Sequence, residues 1–469
     1  MSSVCAAFTT ALYRSRPLPF FDKLPDELAV HILSLVNADD TLDLRYEPYP
    51  VKCKKPVSPL LNIMTTNKRL RQLAANTPSL WTYVDVFIGD LGPRYAYSRD
   101  ALLNSQQLPL QVRITGKIKE EEETEYCINS LTYLLNPHAH RIASLDFRIP
   151  LTCAWPVILN LFSGVPSCRV REFYINDLDA YPQQFDDEFP DRFFTGELNA
   201  FFQSLQVIGM RGFFIPFTTP AYHDLTVLKI MPFLFELSQP STLVEIRNAL
   251  AACPKLRSLA IIECYFEIDS EVSIEPALLL DLEVLELRSG GSGDECLALM
   301  SCIDSGPSEL ALSVSIDSDM FENPIATLRR FIRQSNVTRL CLDATVDVAD
   351  MDWLLALPHG ETLAIRELAL CSYDFEGVEF DRPLRASRFP CLHTLYLMGC
   401  EDVDARLCHR LLDASTIQVL RFDKSRILAQ EIFTVAPSVE HCRFSTNVAC
   451  GEDDCEWPVY LFKDPWHLS

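Results

Sequence analysis

The sequence predicts an α/β solenoid, with a parallel β-sheet on its inner side and helices on its outer side, preceded by a small all-α module. Three observations predict it. An apolar-x-x-apolar-x-apolar pattern returns about every 27 residues between Ile142 and Phe444, a period typical of strand-plus-helix repeats. Helical stretches with an apolar stripe fall between many of those patterns. Ahead of them, Leu24, Leu28, Ile32 and Leu35 recur at helical spacing, and a proline-rich gap separates them from a second amphipathic segment.

Taken in order, residues 1–18 carry Arg14 and Arg16 but no apolar core after them. They read as a flexible tail rather than a secretory signal. Residues 19–87 form the helical module. Pro25 suits a first helical turn, and Asp26 and Glu27 fall where the macrodipole favours negative charge. This helix is expected to end near Asn37. Residues 37–59 hold Pro48, Pro50, Pro56 and Pro59 and read as an inserted loop, because proline lacks the amide donor. Helix resumes near Leu60, with Leu61, Met64, Leu70, Leu73 and Ala74 apolar and Lys68, Arg69 and Arg71 opposite. Thr77-Pro78 stops it. Trp81 to Ile88 and Leu108 to Ile114 alternate as strands do. Residues 88–120 are expected to be a linker and first strand region, and the acidic run Glu120 to Glu125 a solvated, flexible face.

The Leu-Pro-Asp-Glu-Leu at 24–28, the basic helix ending in Leu73-Ala74 and the Thr-Pro-Ser-Leu-Trp at 77–81 together resemble the F-box family, in particular the F-box proteins with leucine-rich repeats abundant in fungi. The resemblance spans residues 19–82. Two features depart from the family pattern. Leu70 stands where a tryptophan is common, and the insertion separates the two halves. The resemblance implies binding to a Skp-type adaptor and, through it, to a cullin–RING ubiquitin ligase of SCF type. Leu24, Pro25, Leu28, Ile32, Leu33 and Leu35 would supply the docking surface, with Leu61, Ile63 and Leu73 behind or beside it. A leucine-rich-repeat scaffold without ligase coupling is the alternative.

Residues 121–449 carry the array. Its strand signatures end at Phe147, Ile175, Met210, Ile230, Ile261, Leu287, Leu342, Leu370, Leu397, Phe422 and Phe444, with a degenerate copy at Leu312-x-Val314. Helices are expected over 198–205, 241–253, 294–303, 325–334 and 351–357. Strand plus helix per repeat gives a leucine-rich-repeat horseshoe in which no unit buries its own face alone, so neighbours must stack. Cys264 and Cys400 sit at the turn after a strand, where a buried thiol suits the bend. Targets of such arrays meet the sheet face; Glu263, Glu286, Arg288, Asp343, Tyr396 and Met398 lie on or just beyond those strands and are the candidate substrate contacts. Residues 450–469, with Trp457 and Trp466, are read as a C-terminal cap.

Composition narrows the classes. Of 469 residues, 48% are hydrophobic and 22% charged, so most of the chain can bury a core. A net charge of -23 repels polyanions and argues against nucleic acid or an anionic membrane as partner. No apolar run approaches the ~18 to 20 residues needed to span a bilayer. Seventeen cysteines, an odd number, placed at apolar positions such as Cys341 and Cys442, read as reduced core-fillers and point to the cytoplasm or nucleus. Phosphate-loop, nucleophile-elbow and zinc-protease motifs are absent. The glycine cluster at 290–293 opens onto Asp294 and Glu295, which disfavour an anion. Cys450 and Cys455 have no second pair at zinc-like spacing. The sequence therefore implies no catalytic residue, no metal and no cofactor; it implies a receptor that works by proximity.

Overall fold

In the computed structural model the described residues are 24–43, 67–88, 93–116, 121–165, 167–176, 196–212, 215–231, 241–262, 266–268, 275–288, 294–316, 324–344, 363–371, 390–400, 417, 419–423 and 441–445. The chain divides into two compact units, Met1–Glu172 and Phe173–Ser469. The expected loop 44–59, Leu61, Ile63, Glu263, Cys264, the acidic segment 177–191, the glycine cluster, the helix at 351–357 and the C-terminal 450–469 lie outside the described residues.

The first unit opens with α1 (Asp26–Asp43) and α2 (Lys68–Ala75). Helix α1 runs six residues past the stop expected at Asn37. Asparagine is a weak terminator, and no proline occurs before Pro48 to enforce one. Asn67 caps α2, its side-chain oxygen accepting from the amides of Arg69 at 2.8 Å and Leu70 at 3.3 Å. Ala29 and Leu33 on α1, Leu70 and Ala74 on α2, and Leu80 and Trp81 of the following short 3-10 turn are all buried. The Trp81 indole donates to the Ala74 carbonyl at 2.6 Å, and the Thr77 hydroxyl to that of Leu73 at 2.7 Å, so the end of α2 is closed by its own successor.

Three parallel strands follow: β1 (Tyr83–Ile88), β2 (Leu110–Gly116) and β3 (Ile142–Arg148), paired in chain order. Their connections are helical: α3 (Pro93–Asn104), α4 (Glu121–Leu135) and, after β3, α5 (Leu151–Phe162). The linker expected over 88–120 thus contains a helix, and the acidic run expected to be flexible opens α4. Clustered acids in a first turn complement the macrodipole there. Helix α5 keeps Pro156 in its interior and buries most of its length, including Trp155 at 0% exposure. Tertiary burial outweighs the missing hydrogen bond.

The second unit opens at Phe173 within β4 (Glu172–Asn176) and continues with α6 (Asn199–Ser204), β5 (Val207–Arg211) and β6 (Val227–Met231). Then come the short β7 (Ser241–Thr242), α7 (Leu243–Ala251), β8 (Ser258–Ile262), the short β9 (Phe266–Glu267), β10 (Ala277–Leu279), β11 (Val284–Arg288), α8 (Asp294–Ser301) and β12 (Ile303–Ser305). The array continues through β13 (Leu310–Ile316), α9 (Pro324–Gln334), β14 (Val337–Ala344), β15 (Glu367–Cys371), β16 (Thr394–Met398), β17 (Val419–Asp423) and β18 (His441–Ser445). Each expected signature, the degenerate one included, falls on a strand. β4, β5, β6, β8, β11 and β13 to β18 form one parallel sheet in chain order. Two small pairs, β7 with β9 and β10 with β12, stand apart from it.

Register explains the leucines. Leu228, Leu259, Leu285, Leu312, Leu340, Leu368 and Leu395 lie abreast in one row; Ile230, Ile261, Leu287, Val314, Leu342, Leu370 and Leu397 lie in the next row on the same face. All are buried. Fully burying one such side chain contributes roughly 1.5 to 3 kcal/mol, and each row is continuous only because neighbours stack. Helix α7 starts at a capping box: the Glu245 amide donates to the Thr242 hydroxyl at 3.3 Å and the Thr242 amide to the Glu245 carboxylate at 3.0 Å. These features define an α/β solenoid.

Candidate docking surfaces

Helix α1 divides its apolar residues between two faces. Ala29 and Leu33, four apart, pack inward at 1% and 2% exposure. Leu28, Ile32 and Leu35, at i, i+4 and i+7, form a second stripe; Leu28 is 51% and Leu35 43% exposed, while Ile32 is half-buried. Pro25 is exposed, and Leu24 and Leu73 are half-buried. Arg69 ties the two helices, its guanidinium donating to the Leu24 carbonyl and pairing with the Asp26 carboxylate. Leu33 therefore belongs to the interior of the module and Leu28 and Leu35 to its surface, a division the sequence spacing alone did not make. Leu70, at the position where the family commonly has tryptophan, is 2% exposed, so the change falls in the module core.

In the second unit the sheet face opposite the leucine rows carries the other candidates. Glu286 and Arg288 flank the buried Leu287 and form an ion pair at 3.3 Å. Burial pulls the Arg288 pKa down, while Glu286 and Asp343 hold it up. Both members of the pair and Asp343 are half-buried. Glu367 sits one row away and accepts from the Tyr396 hydroxyl at 3.4 Å. Tyr396 and Met398 are only 7% and 6% exposed, packed with Cys341, Ala369 and Cys371 in one buried cluster. Alternation along the strand placed these two side chains on this face; it carried no information on their being covered. Cys400 follows Gly399 (φ +57°), and its thiol lies 3.3 Å from the Leu370 carbonyl and 3.5 Å from that of Met398. The thiol thus holds the turn to its own strand and to the strand before it.

The corresponding face of the first unit is closed by its own charges. Arg113, 3% exposed, lies 3.6 Å from Asp85 and 3.5 Å from Asp146, and its guanidinium stacks 4.8 Å from the Tyr83 ring centroid. Arg148 adds a contact to Asp146 at 3.2 Å. The sequence reading missed this group, although the matching positions of Asp85, Arg113 and Asp146 on three successive strands signal it. Among the described residues no group of three or more His, Cys, Asp or Glu side chains is placed to hold a metal ion. No helix among them is long and apolar enough to cross a membrane.

Residues 21–86 match the F-box-like family model, so this part of the first unit is an F-box-like domain. No curated protein matches the chain. Among solved structures, that of the Rad7 and Elc1 complex of yeast is similar at 12% identity and a TM-score of 0.37, over 94% of this chain and 97% of that one. An internalin (inlF) from Listeria monocytogenes str. 4b F2365 is similar at 12% identity and a TM-score of 0.31, over 80% of this chain and 90% of that one. Similarity at that level supports no argument about the function or partners of this chain.

Proposed function

We propose that this protein is the non-catalytic substrate-recognition subunit of an SCF-type cullin–RING ubiquitin ligase in the cytoplasm or nucleus. The F-box-like domain docks a Skp-type adaptor, and the repeat array, read as leucine-rich repeats, holds a protein to be ubiquitinated. The observation that carries the reading is the stripe of Leu28, Ile32 and Leu35, apolar and presented outward on the first helix of a domain of that family. Large apolar side chains arranged along one helix face are what a groove-binding partner buries. Leu24, Pro25 and Leu73 border the stripe. On the array, Glu286, Arg288 and Asp343 supply the charged positions through which a target is recognised. The chain contributes proximity: holding the target beside a conjugating enzyme raises the effective concentration of its lysines.

The test is capture of a purified Skp-type adaptor by the full-length protein and by its L28D/L35D variant. Both positions are exposed, so the fold stays intact by far-UV circular dichroism. Adaptor binding falls at least ~30-fold in the variant, as expected when two central apolar contacts at about 1 to 2 kcal/mol each are lost. Absence of binding by the wild type leaves a repeat scaffold without ligase coupling.

A further inference from the structure

The connection between β8 and β11 carries a surface that neither docking role uses. It contains β10, which pairs with β12 in a ladder separate from the large sheet. The inner side of β10 is ordinary: Ala277 and Leu279 are buried, as is Leu282 beyond them. The outer side is apolar as well. Pro276, Leu278 and Leu280 share it by strand parity, and all three are exposed, Leu278 at 53% and Leu280 at 48%. One exposed leucine is common on any protein; a row of apolar side chains on one flat ladder, rimmed by polar groups, marks an interaction surface.

The partner strand keeps this row open. Leu278 lies beside Asp304, and the next step of the ladder sets Gly306 beside Leu280. A Cβ at position 306 would overlap the Leu280 backbone, so glycine alone fits there and no side chain flanks Leu280 on that side. The Ser308 hydroxyl donates to the Leu280 carbonyl at 3.2 Å and holds the two segments together. Both edges of the ladder are occupied. Helix α7 packs along β10, with Arg247 donating to the Glu275 carbonyl at 2.7 Å. Beyond β12, the Ser335 hydroxyl meets that of Ser305 at 2.6 Å and the Asn336 amide donates to the Pro307 carbonyl at 3.1 Å. A partner therefore covers the row from above with side chains and does not extend the ladder as a further strand.

Charge selects the partner. Glu275, Asp281 and Asp304 are exposed around the row, and among the described residues no cation pairs with their carboxylates. The acids next in sequence are neutralised instead: Glu283 pairs with Arg257 at 2.6 Å and Glu309 with Arg366 at 2.9 Å. An apolar row inside an acidic rim, on a chain of net charge -23, attracts a cationic apolar segment and repels an anionic lipid surface. Side chains two apart on a strand stand ~6.6 Å apart, close to the ~5 to 6 Å between i, i+3 and i+4 positions of a helix. We propose that this face binds a basic amphipathic helix of a partner protein. Its leucine-type side chains lie over Leu278 and Leu280, and its Lys or Arg side chains meet Glu275, Asp281 and Asp304.

The experiment measures fluorescence anisotropy of a labelled helical peptide of repeated Lys-Leu-Leu-Lys units against the full-length protein at ~0.15 M salt. Wild type binds it, and the same peptide with Glu for Lys does not bind. L278S/L280S weakens binding at least ~10-fold, as loss of two central apolar contacts does. E275Q/D281N/D304N weakens it ~5-fold, whereas D100N/E125Q/D224N, which removes the same charge from exposed positions elsewhere, changes it less than ~2-fold. L103S, at an exposed leucine of α3, leaves binding unchanged. All the substituted side chains are exposed, and circular dichroism checks each fold. No binding by wild type, or equal binding by wild type and L278S/L280S, overturns the site. Equal binding of the two peptides overturns the basic partner. Sedimentation showing a dimer of the wild type that L278S/L280S abolishes also overturns it, in favour of a second copy of this chain.

Discussion

At the scale of single residues, Arg141 shows how a charge is kept inside. It is 3% exposed, and its guanidinium donates to the Ser105 hydroxyl at 2.9 Å, the Leu108 carbonyl at 3.0 Å and the Leu102 carbonyl. It therefore satisfies acceptors at and just beyond the C-terminus of α3, where a cation also suits the macrodipole. Replacing it with methionine strands those acceptors; the expected cost is about 2 to 4 kcal/mol, read as a lower denaturant midpoint at unchanged m-value. His138 lies 3.2 Å from the same guanidinium through Nδ1, which must act as acceptor. Burial first, and then the Arg141 charge, lower its pKa below 6.5. Between the folded pKa and 6.5 the unfolded chain binds more protons. Stability is thus complete above pH 6.5, falls as pH drops through the folded value, and levels off below it. H138Q should flatten that limb, measured as the difference between the two proteins' midpoints from pH 7.5 to 5. Residue-level legibility was uneven. Helical spacing singled out Leu28 and Leu35, and the family resemblance named them as docking residues together with Leu33; Leu28 and Leu35 are exposed and Leu33 is buried. Tyr396 and Met398 were named as contacts on strand parity, which assigns a face and cannot show what covers it.

At the scale of elements, the strands were the readable part. Two apolar residues separated by one position, with a third apolar residue three positions earlier, fix both the period and the inward face, and even the degenerate copy Leu312-x-Val314 falls on β13. Helices were less legible where tertiary burial overrode local signals. Helix α5 was not among the expected helices; it keeps Pro156 in its interior because Leu151, Cys153, Ala154, Trp155, Val157 and Ile158 are all buried around it. Helix α3 begins at Pro93, a favoured first position, but its Tyr95, Arg99 and Asp100 blur the apolar stripe. The element view also ranks damage. Leu340 is 2% exposed, between Leu312 and Leu368 in its row. L340A should cost about 2 to 5 kcal/mol, and thermal unfolding would show it. The surface change at Leu28 should leave the melting temperature nearly unmoved. The same two measurements separate loss of fold from loss of docking.

At the scale of the whole molecule, the chain divides into two compact units at Glu172/Phe173, so the first unit holds the F-box-like domain together with three parallel strands, the third of which carries the first repeat signature. Charge was the most legible global quantity and helix-versus-loop in the connections the least, because segments between strands vary in length while the ladder does not. That constancy has a mechanical side. In the second unit each interior strand of the large sheet is hydrogen-bonded to the strands of that sheet next before and next after it in the chain, and to no more distant one. A load applied at the C-terminal end of such a sheet meets one neighbour at a time. Optical-tweezer pulling on the second unit should therefore give a staircase of small, similar rips, β18 leaving before β17 and β17 before β16, in place of one large rupture. A body that resists pulling only locally can be unwound from its end by a translocating motor without its remaining repeats ever melting together.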